Sequence, residues 1–125
     1  MLHMFFVATG GAAGSVCRYL VGQWSLRLFG PAFPWGTLIV NVAGSFAIGL
    51  VVELIARRLN ASTEMRLLIV TGFLGGFTTF SAFSLDAISL VERSTTLVGV
   101  TYIVASVTLS LAAVFAGLAL GRSMF

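Results

Sequence analysis

The sequence predicts an all-α integral membrane protein in which four transmembrane helices form one domain and the third helix is broken at its centre. Composition predicts the membrane: 58% of the 125 residues are hydrophobic and 9% are charged, whereas ordinary soluble domains are about 25% charged. A soluble chain of this length could not bury so much apolar surface. The break is predicted by GFLGGFTTFSAF at 72–83, which places glycines and hydroxyls inside an uncharged run.

Four apolar stretches are long enough to cross a bilayer, which takes roughly 20 mostly apolar residues. They predict helices over residues about 3–28, 34–56, 64–91 and 95–121. Pro31 and Pro34 mark the first connection, because proline breaks helices. Residues 57–66 form the most polar connection. Trp24 and Trp35 lie near predicted helix ends, where indole rings favour the membrane interface.

Arginine placement gives only a weak preference for one orientation. With four spans, the N-terminus, the second connection and the C-terminus share one side of the membrane. That side carries Arg57, Arg58, Arg66 and Arg122, and the other carries Arg27 and Arg93. The excess predicts that the first side is cytoplasmic, and its small size permits insertion in both orientations. The net charge of +3 forms no basic patch, so we expect no nucleic-acid partner.

Small and polar residues recur at a spacing of four. Glycine pairs stand at Gly10 and Gly14, Gly72 and Gly76, and Gly117 and Gly121. Close backbone approach drives helix association in lipid, so the pairs predict a tight bundle and an oligomer. Polar stripes stand at Thr37, Asn41 and Ser45, and at Tyr102, Ser106 and Ser110. Each stripe lies on one helix face and indicates either hydrogen bonds between helices or a hydrophilic track for a small solute.

Three charges lie within or near the ends of predicted helices. Arg18 lies deep in the first helix, where an arginine is costly. It can reach the interface, pair with an acid or with backbone carbonyls, or raise the local concentration of an anion near a vestibule. Asp86 lies near the end of the third helix and Glu53 closes the second, and each can simply reach the interface.

The centre of the third helix predicts a site for ions. Gly72, Gly75 and Gly76 each weaken a helix by roughly 1 kcal/mol relative to alanine. A break inside the membrane is tolerated only where protein buries it or where it lines a cavity, and broken helices of transporters bind cations through freed carbonyls. Phe80 and Phe83 share a face, and their positive ring edges could touch an anion weakly enough to let it leave. Ordinary core packing is the alternative for these rings.

Three motif regions resemble the Fluc fluoride channels, also called CrcB proteins. They are GGAAGSVCRY at 10–19, GTLIVNVAGSF at 36–46 and TGFLGGFTTFSAFS at 71–84, and the length and four spans extend the resemblance over the whole chain. It implies an antiparallel homodimer, with one subunit inverted in the lipid bilayer, that holds two fluoride pores. It also implies a structural sodium ion (Na+) at the dimer centre, bound by the backbone carbonyls of Gly75 and Thr78 from each subunit.

The resemblance further implies roles for individual side chains. The residues of the fluoride pathway would be Asn41, Thr79, Phe80, Ser81, Phe83, Tyr102, Ser106 and Ser110. The two phenylalanines would form a box, the amide would face the same pathway, and the hydroxyls would extend a polar track. Arg18 matches the family's first-helix arginine. Asp86 stands where the family commonly has glutamate, so its side chain carries the same charge but reaches less far. Ala82 stands where the family commonly has threonine.

The residues themselves predict a small oligomeric ion pathway and, with no nucleotide motif or covalent chemistry, no enzyme; the resemblance implies a passive, fluoride-selective channel that exports fluoride across the bacterial cytoplasmic (inner) membrane. Hydroxyls, an amide and ring edges would replace water in a narrow pore. A small multidrug exporter is an alternative with four helices and dual topology, but it needs an acid in the first helix, and residues 1–30 contain no Asp or Glu. A membrane subunit that only binds a partner through its polar stripes is a further alternative.

Overall fold

Lipid offers no water to the backbone, so the apolar stretches of this chain fold as helices that satisfy their own hydrogen bonds. The computed structural model describes all 125 residues. Helix α1 covers Leu2–Phe29 and α2 covers Trp35–Arg57, the third span runs over Thr63–Arg93, and the last helix covers Thr96–Met124. All four are long and apolar enough to cross a membrane. The predicted all-helical fold with four candidate spans is confirmed.

The third span is built from four consecutive pieces. They are α3 (Thr63–Arg66), a π-helix (Leu67–Leu74), α4 (Gly75–Phe77) and α5 (Phe80–Arg93), and α6 (Thr96–Met124) follows them. Between α4 and α5, Thr78 and Thr79 adopt extended backbone, with φ and ψ of −92° and 159° and of −152° and 125°. The interruption lies at the centre of the span, as predicted, but it falls on the two threonines and not on the glycines.

Gly72, Gly75 and Gly76 all remain helical, and two of them, Gly72 and Gly76, pack closely against α1. A Cβ at Gly72 would lie 3.0 Å from Gly10 Cα, and a Cβ at Gly10 would lie 2.9 Å from the backbone nitrogen of Phe73. A Cβ at Gly76 would lie 3.1 Å from Gly11 Cα. Any larger residue at these positions would push the helices apart, so the glycines hold α1 directly against the span that carries the break.

A second glycine contact joins α2 to α6. A Cβ at Gly117 would lie 3.2 Å from Gly49 Cα, so the two backbones touch. One turn further along, the buried Glu53 carboxylate accepts hydrogen bonds from Arg57 Nε at 2.8 Å and Arg122 Nε at 2.9 Å. The ion pair satisfies the charge of the buried carboxylate at the end of the bundle, and it lies away from the helix break.

A small apolar core holds α5 between α2 and α6. Its buried members are Leu38, Phe83, Ala87, Leu90 and Tyr102. Leu90 and Tyr102 are completely shielded from solvent, and the Phe83 ring packs on the Tyr102 ring with centroids 5.4 Å apart. This core fixes the half of the third span that follows the break, and with it the direction of the Phe83 side chain.

Candidate ion pathway

The break in the third span is stabilised by the side chain of Asn41 from α2. Asn41 Nδ2 donates to the Thr79 carbonyl at 2.9 Å, and Asn41 Oδ1 accepts from the Thr79 amide at 2.8 Å. The Asn41 side chain therefore pairs with both the backbone N–H and the carbonyl of Thr79. In a continuous helix, neighbouring backbone groups would have paired with them instead. The long-range pairing explains how an interrupted helix is stable within the bundle, where each unpaired backbone group is costly.

The same hydrogen bonds free two carbonyls. In a continuous helix the Gly75 carbonyl would accept from the Thr79 amide, and the Thr78 carbonyl from the Ala82 amide. Here the Thr79 amide bonds Asn41 and the Ala82 amide bonds Thr79 Oγ1 at 3.1 Å. The two residues that the resemblance implies as sodium ligands are thus among those whose carbonyls lose their helical donors at the break. Carbonyl oxygens suit hard cations, so the donor set fits the ion.

Arg18 also engages the broken span. Its Nε donates to the Gly76 carbonyl at 2.9 Å, so among the alternatives left open by the sequence the structure selects a backbone carbonyl. This contact places a positive charge at the C-terminal end of α4, where the peptide dipoles carry partial negative charge. The arginine remains half-buried and lines a cavity on one side of the break.

A groove of about 410 Å³ runs along α2, the third span and α6 on the other side of the break. We call it the hydroxyl groove. Its lining includes Asn41, Gly44, Ser45, Ile48, Val70, Thr71, Leu74, Gly75, Thr78, Thr79, Phe80, Phe83, Ser106, Val107 and Ser110. None of these residues is charged. The structure thus brings most of the predicted pathway residues and both predicted sodium ligands to one uncharged surface.

The two phenylalanine rings differ in their surroundings. Their centroids lie 5.5 Å apart with the planes tilted by 51°. Phe83 is 8% exposed and packs into the core, whereas Phe80 is 77% exposed at the mouth of the groove. Both line the groove, so one ring is fixed and the other has room for an ion or a second subunit beside it.

Two predicted pathway residues lie outside the groove lining. Tyr102 is fully buried behind Phe83, and its hydroxyl lies 3.5 Å from Asp86 Oδ2, which also accepts from Thr37 Oγ1 at 2.7 Å. Asp86 therefore ties α5 to α2 and α6. Ser81 is exposed, with its Oγ 3.4 Å from Thr79 Oγ1.

A second cavity of about 570 Å³ lies between the ends of α1, α2 and α5. Its charged lining residues are Arg18, Asp86 and Arg93, and it reaches Thr79 from the side opposite to the groove. Arg93 also donates to the Pro31 carbonyl at 3.3 Å. We call this cavity the vestibule. Thr79 lines both cavities, so they meet at the break.

The sequence interpretation missed Thr71, which lines the groove from the π-helix. Thr71, Gly75, Thr79 and Phe83 are spaced by four, which would place them on one side of a continuous helix. That periodicity was available in the sequence. It was obscured because the glycines and phenylalanines that follow Thr71 dominate the pattern.

Four apolar spans, the third of them interrupted beside an uncharged groove, define the class: a multi-pass membrane protein. Residues 5–118 match the family model described as CrcB-like protein, Camphor Resistance (CrcB). The chain therefore belongs to the CrcB family, and the resemblance drawn from its motifs is confirmed.

Three bacterial relatives illustrate the similarity. A protein of Agrobacterium fabrum named Fluoride-specific ion channel FluC is 69% identical over 125 residues, with 100% of both chains covered. A protein of the same name from Rhizobium etli is 68% identical over 124 residues, with 99% of both chains covered. Another from Allorhizobium ampelinum is 56% identical over 125 residues, again with full coverage of both chains.

Proposed function

We propose that this protein is a fluoride channel that passively exports fluoride across the bacterial cytoplasmic membrane and so lowers its cytoplasmic concentration and toxicity. The observation that carries the proposal is the uncharged groove that meets the helix break, in a chain whose relatives are named fluoride-specific ion channels. Residues of three helices line that groove. Nothing in the proposed function requires bond making or breaking, so the protein acts as a channel and not as an enzyme.

Fluoride must lose its water to cross, and the groove offers replacements for it. Hydroxyls such as those of Ser106 and Ser110 donate hydrogen bonds, and phenyl ring edges carry partial positive charge. The Ser106 Oγ lies buried in the groove wall without a protein hydrogen-bond partner, so its hydroxyl would have a hydrogen bond to give to an ion that reached it. Because these groups are neutral, the ion is held weakly enough to leave, as conduction requires.

A sodium ion would have a structural place at the break. The Gly75 and Thr78 carbonyls, both released from helical hydrogen bonding, would hold it, and Asn41 keeps the backbone around them in place. A bound cation would supply positive charge and would coordinate the two carbonyls, to which lipid tails cannot donate hydrogen bonds. No group of three or more His, Cys, Asp or Glu side chains offers a competing metal site.

An antiparallel homodimer is the proposed assembly. The hydroxyl groove is open to one side, where Phe80 is 77% exposed beside the exposed Ser81. Hydroxyls facing lipid are unfavourable, and a second copy of the chain would cover them and close the pore. The weak arginine asymmetry of four against two is consistent with subunits inserted in both orientations.

Reconstituted protein tests the function. Liposomes loaded with potassium fluoride should release fluoride, measured with a fluoride electrode, when potassium is allowed to leave through an ionophore. Liposomes loaded with potassium chloride should retain chloride, and neither result should depend on a proton gradient. Retention of fluoride would overturn the proposal. Release that requires a proton gradient would instead favour an exchanger such as the small multidrug exporters.

A further inference from the structure

The connection between α1 and α2 places an aromatic ring against the interior of the bundle. Phe33 lies in that connection, and its side chain is half-buried. The ring packs against the apolar core that contains Phe83 and Tyr102. Pro31 and Ala32, which precede it, are exposed. Phe33 therefore anchors the connection to the core.

A row of aromatic contacts leads from this ring to the groove. The ring centroids of Phe33 and Tyr102 lie 5.4 Å apart with the planes at 87°. Those of Tyr102 and Phe83 also lie 5.4 Å apart, with the planes at 42°, and Phe83 lies 5.5 Å from Phe80. All of these separations are typical of favourable aromatic pairs. We call these four residues the aromatic row.

Tyr102 occupies the interior of the row and has no free space around it. It is completely shielded from solvent, with the rings of Phe33 and Phe83 both in contact with it. Protein interiors are close-packed, and a void beside a buried side chain removes contacts that hold that side chain in place. Loss of the Phe33 ring would open a void beside Tyr102, which would then no longer hold Phe83 in one orientation.

The backbone around Phe33 is restrained, so its ring can serve as a fixed support. Pro34 follows it, and a proline restricts the conformation of the residue before it. The Phe33 carbonyl accepts a hydrogen bond from the Trp35 amide at 2.9 Å. Arg93, at the end of α5, donates to the Pro31 carbonyl at 3.3 Å. The connection is thus held between the start of α2 and the end of α5.

We propose that Phe33 is a positioning residue that holds the Phe83 ring in the pathway through Tyr102. The proposal rests on the proposed fluoride conduction and deepens it. Phe33 lines the vestibule and not the groove, so it acts on the groove through the other rings. The orientation of Phe83 matters because a phenyl ring is positive at its edge and negative on its face. Only a ring held with its edge toward the pathway can attract an anion.

Two variants at Phe33 test the role of its ring in conduction. Phe33→Leu keeps an apolar side chain and removes the ring, whereas Phe33→Tyr keeps the ring. We expect fluoride efflux from liposomes to fall about fivefold in Phe33→Leu, since one aromatic contact corresponds to a factor of about 2 to about 10 in a rate. Efflux by Phe33→Tyr should stay near the wild-type rate. Phe29→Leu is the matched control, because Phe29 is 52% exposed and its ring packs on Trp35, outside the aromatic row.

A spectroscopic measurement follows the Phe83 ring itself. A single para-fluorophenylalanine in place of Phe83 gives one fluorine NMR resonance, whose chemical shift depends on the neighbouring rings. We expect Phe33→Leu to shift or broaden this resonance. Phe33→Tyr and Phe29→Leu should leave it close to its position in the otherwise unchanged protein. The measurement does not require that the protein conducts.

The two readouts together decide the proposal. Slowed efflux with a changed resonance in Phe33→Leu, both restored in Phe33→Tyr, supports it. An unchanged resonance overturns it even if efflux falls, because Phe33 would then act only as part of the vestibule wall. Wild-type efflux by Phe33→Leu also overturns it.

Two further outcomes are separated by the same experiments. If Phe33→Leu does not fold, Phe33→Met takes its place in both measurements, because a methionine fills irregular space but supplies no ring. If the wild-type protein releases no fluoride, the proposed function fails, and the fluorine resonance still decides whether Phe33 positions Phe83.

Discussion

The hydroxyl groove and the vestibule meet at Thr79 but differ in charge. The groove has no charged lining residue, whereas the vestibule contains Arg18, Arg93 and Asp86. An arginine side chain in direct contact with the ion inside a narrow, dehydrated passage would hold it too tightly to conduct. The same charge in a wider cavity raises the local anion concentration without trapping the ion. Under the proposed function, the vestibule would therefore collect anions, and the groove would replace their water.

The two cavities also depend on different parts of the chain. The groove is built on hydroxyls, glycines and rings from three helices, and its shape depends on the break at Thr78 and Thr79. The vestibule depends on side chains at helix ends and on the connection around Pro31. Substitutions that change the break should therefore affect conduction most, and substitutions in the vestibule should act through electrostatics. The variants below follow that order.

Removal of the Asn41 side-chain amide should have the largest effect on fluoride efflux, because this amide supports the helix break at which the two cavities meet. Asn41→Leu leaves the Thr79 amide and carbonyl without partners. Each unsatisfied buried group costs about 1–3 kcal/mol, so we expect lower thermal stability in detergent and almost complete loss of fluoride efflux. Ala43→Leu is the control, since Ala43 is exposed on the same helix. An Asn41→Leu variant with wild-type stability would show that the break does not need this side chain.

Substitution of the exposed phenylalanine should reduce conduction in a protein that still folds. Phe80→Ile removes the ring edge at the mouth of the groove, and we expect fluoride efflux to fall by about a hundredfold. Phe115→Ile is a matched control, because Phe115 is 76% exposed, close to the 77% of Phe80, and lies outside the groove. Phe83→Ile should also slow efflux, with some loss of stability because Phe83 belongs to the core. Wild-type efflux in both pathway variants would remove the ring edges from the mechanism.

Much of this architecture could be predicted from the sequence. Lipid restricts apolar stretches to helices, so the four spans follow from composition. The concentration of glycines and hydroxyls in one span predicted the interruption. Gly72 and Gly76, however, hold α1 against the span, while Thr78 and Thr79 form the break. Local propensity gave the right segment and the wrong residues, because contacts with α1 decide where the helix stays regular.

Long-range pairs could not be predicted in the same way. The bond between Arg18 and the Gly76 carbonyl joins residues 58 positions apart, and the bonds between Asn41 and Thr79 join residues 38 positions apart. Spacing within a helix shows which residues share a face, but it does not show which face of another helix lies opposite. The sequence therefore left several partners open for Arg18, and it assigned Asn41 to the pathway without its structural role at the break.

Removal of the vestibule charge should have a moderate effect that depends on salt. Arg18→Gln should slow fluoride efflux severalfold at low ionic strength, and the difference from wild type should shrink as salt screens the charge over about 10 Å at 0.1 M. Arg18→Lys should retain more of the rate, because it keeps the charge. Arg27→Gln removes an equal charge from the exposed end of α1 and serves as the control. A rate loss that does not change with salt would assign Arg18 to the support of the Gly76 carbonyl alone.

Substitution of Glu53 should leave conduction unchanged, because its ion pairs lie outside both cavities. Glu53→Gln keeps the size of the side chain but removes the charge that Arg57 and Arg122 share. The thermal stability of the protein in detergent should fall, because a glutamine presents only one oxygen to two guanidinium groups. Glu92→Gln is the control, since Glu92 is exposed and has no ion pair in the structure. Fluoride efflux by folded Glu53→Gln protein should match the wild-type rate. A clear loss of efflux with stability unchanged would mean that the contact between α2 and α6 controls the width of the groove, and the pathway could then no longer be described by its lining residues alone.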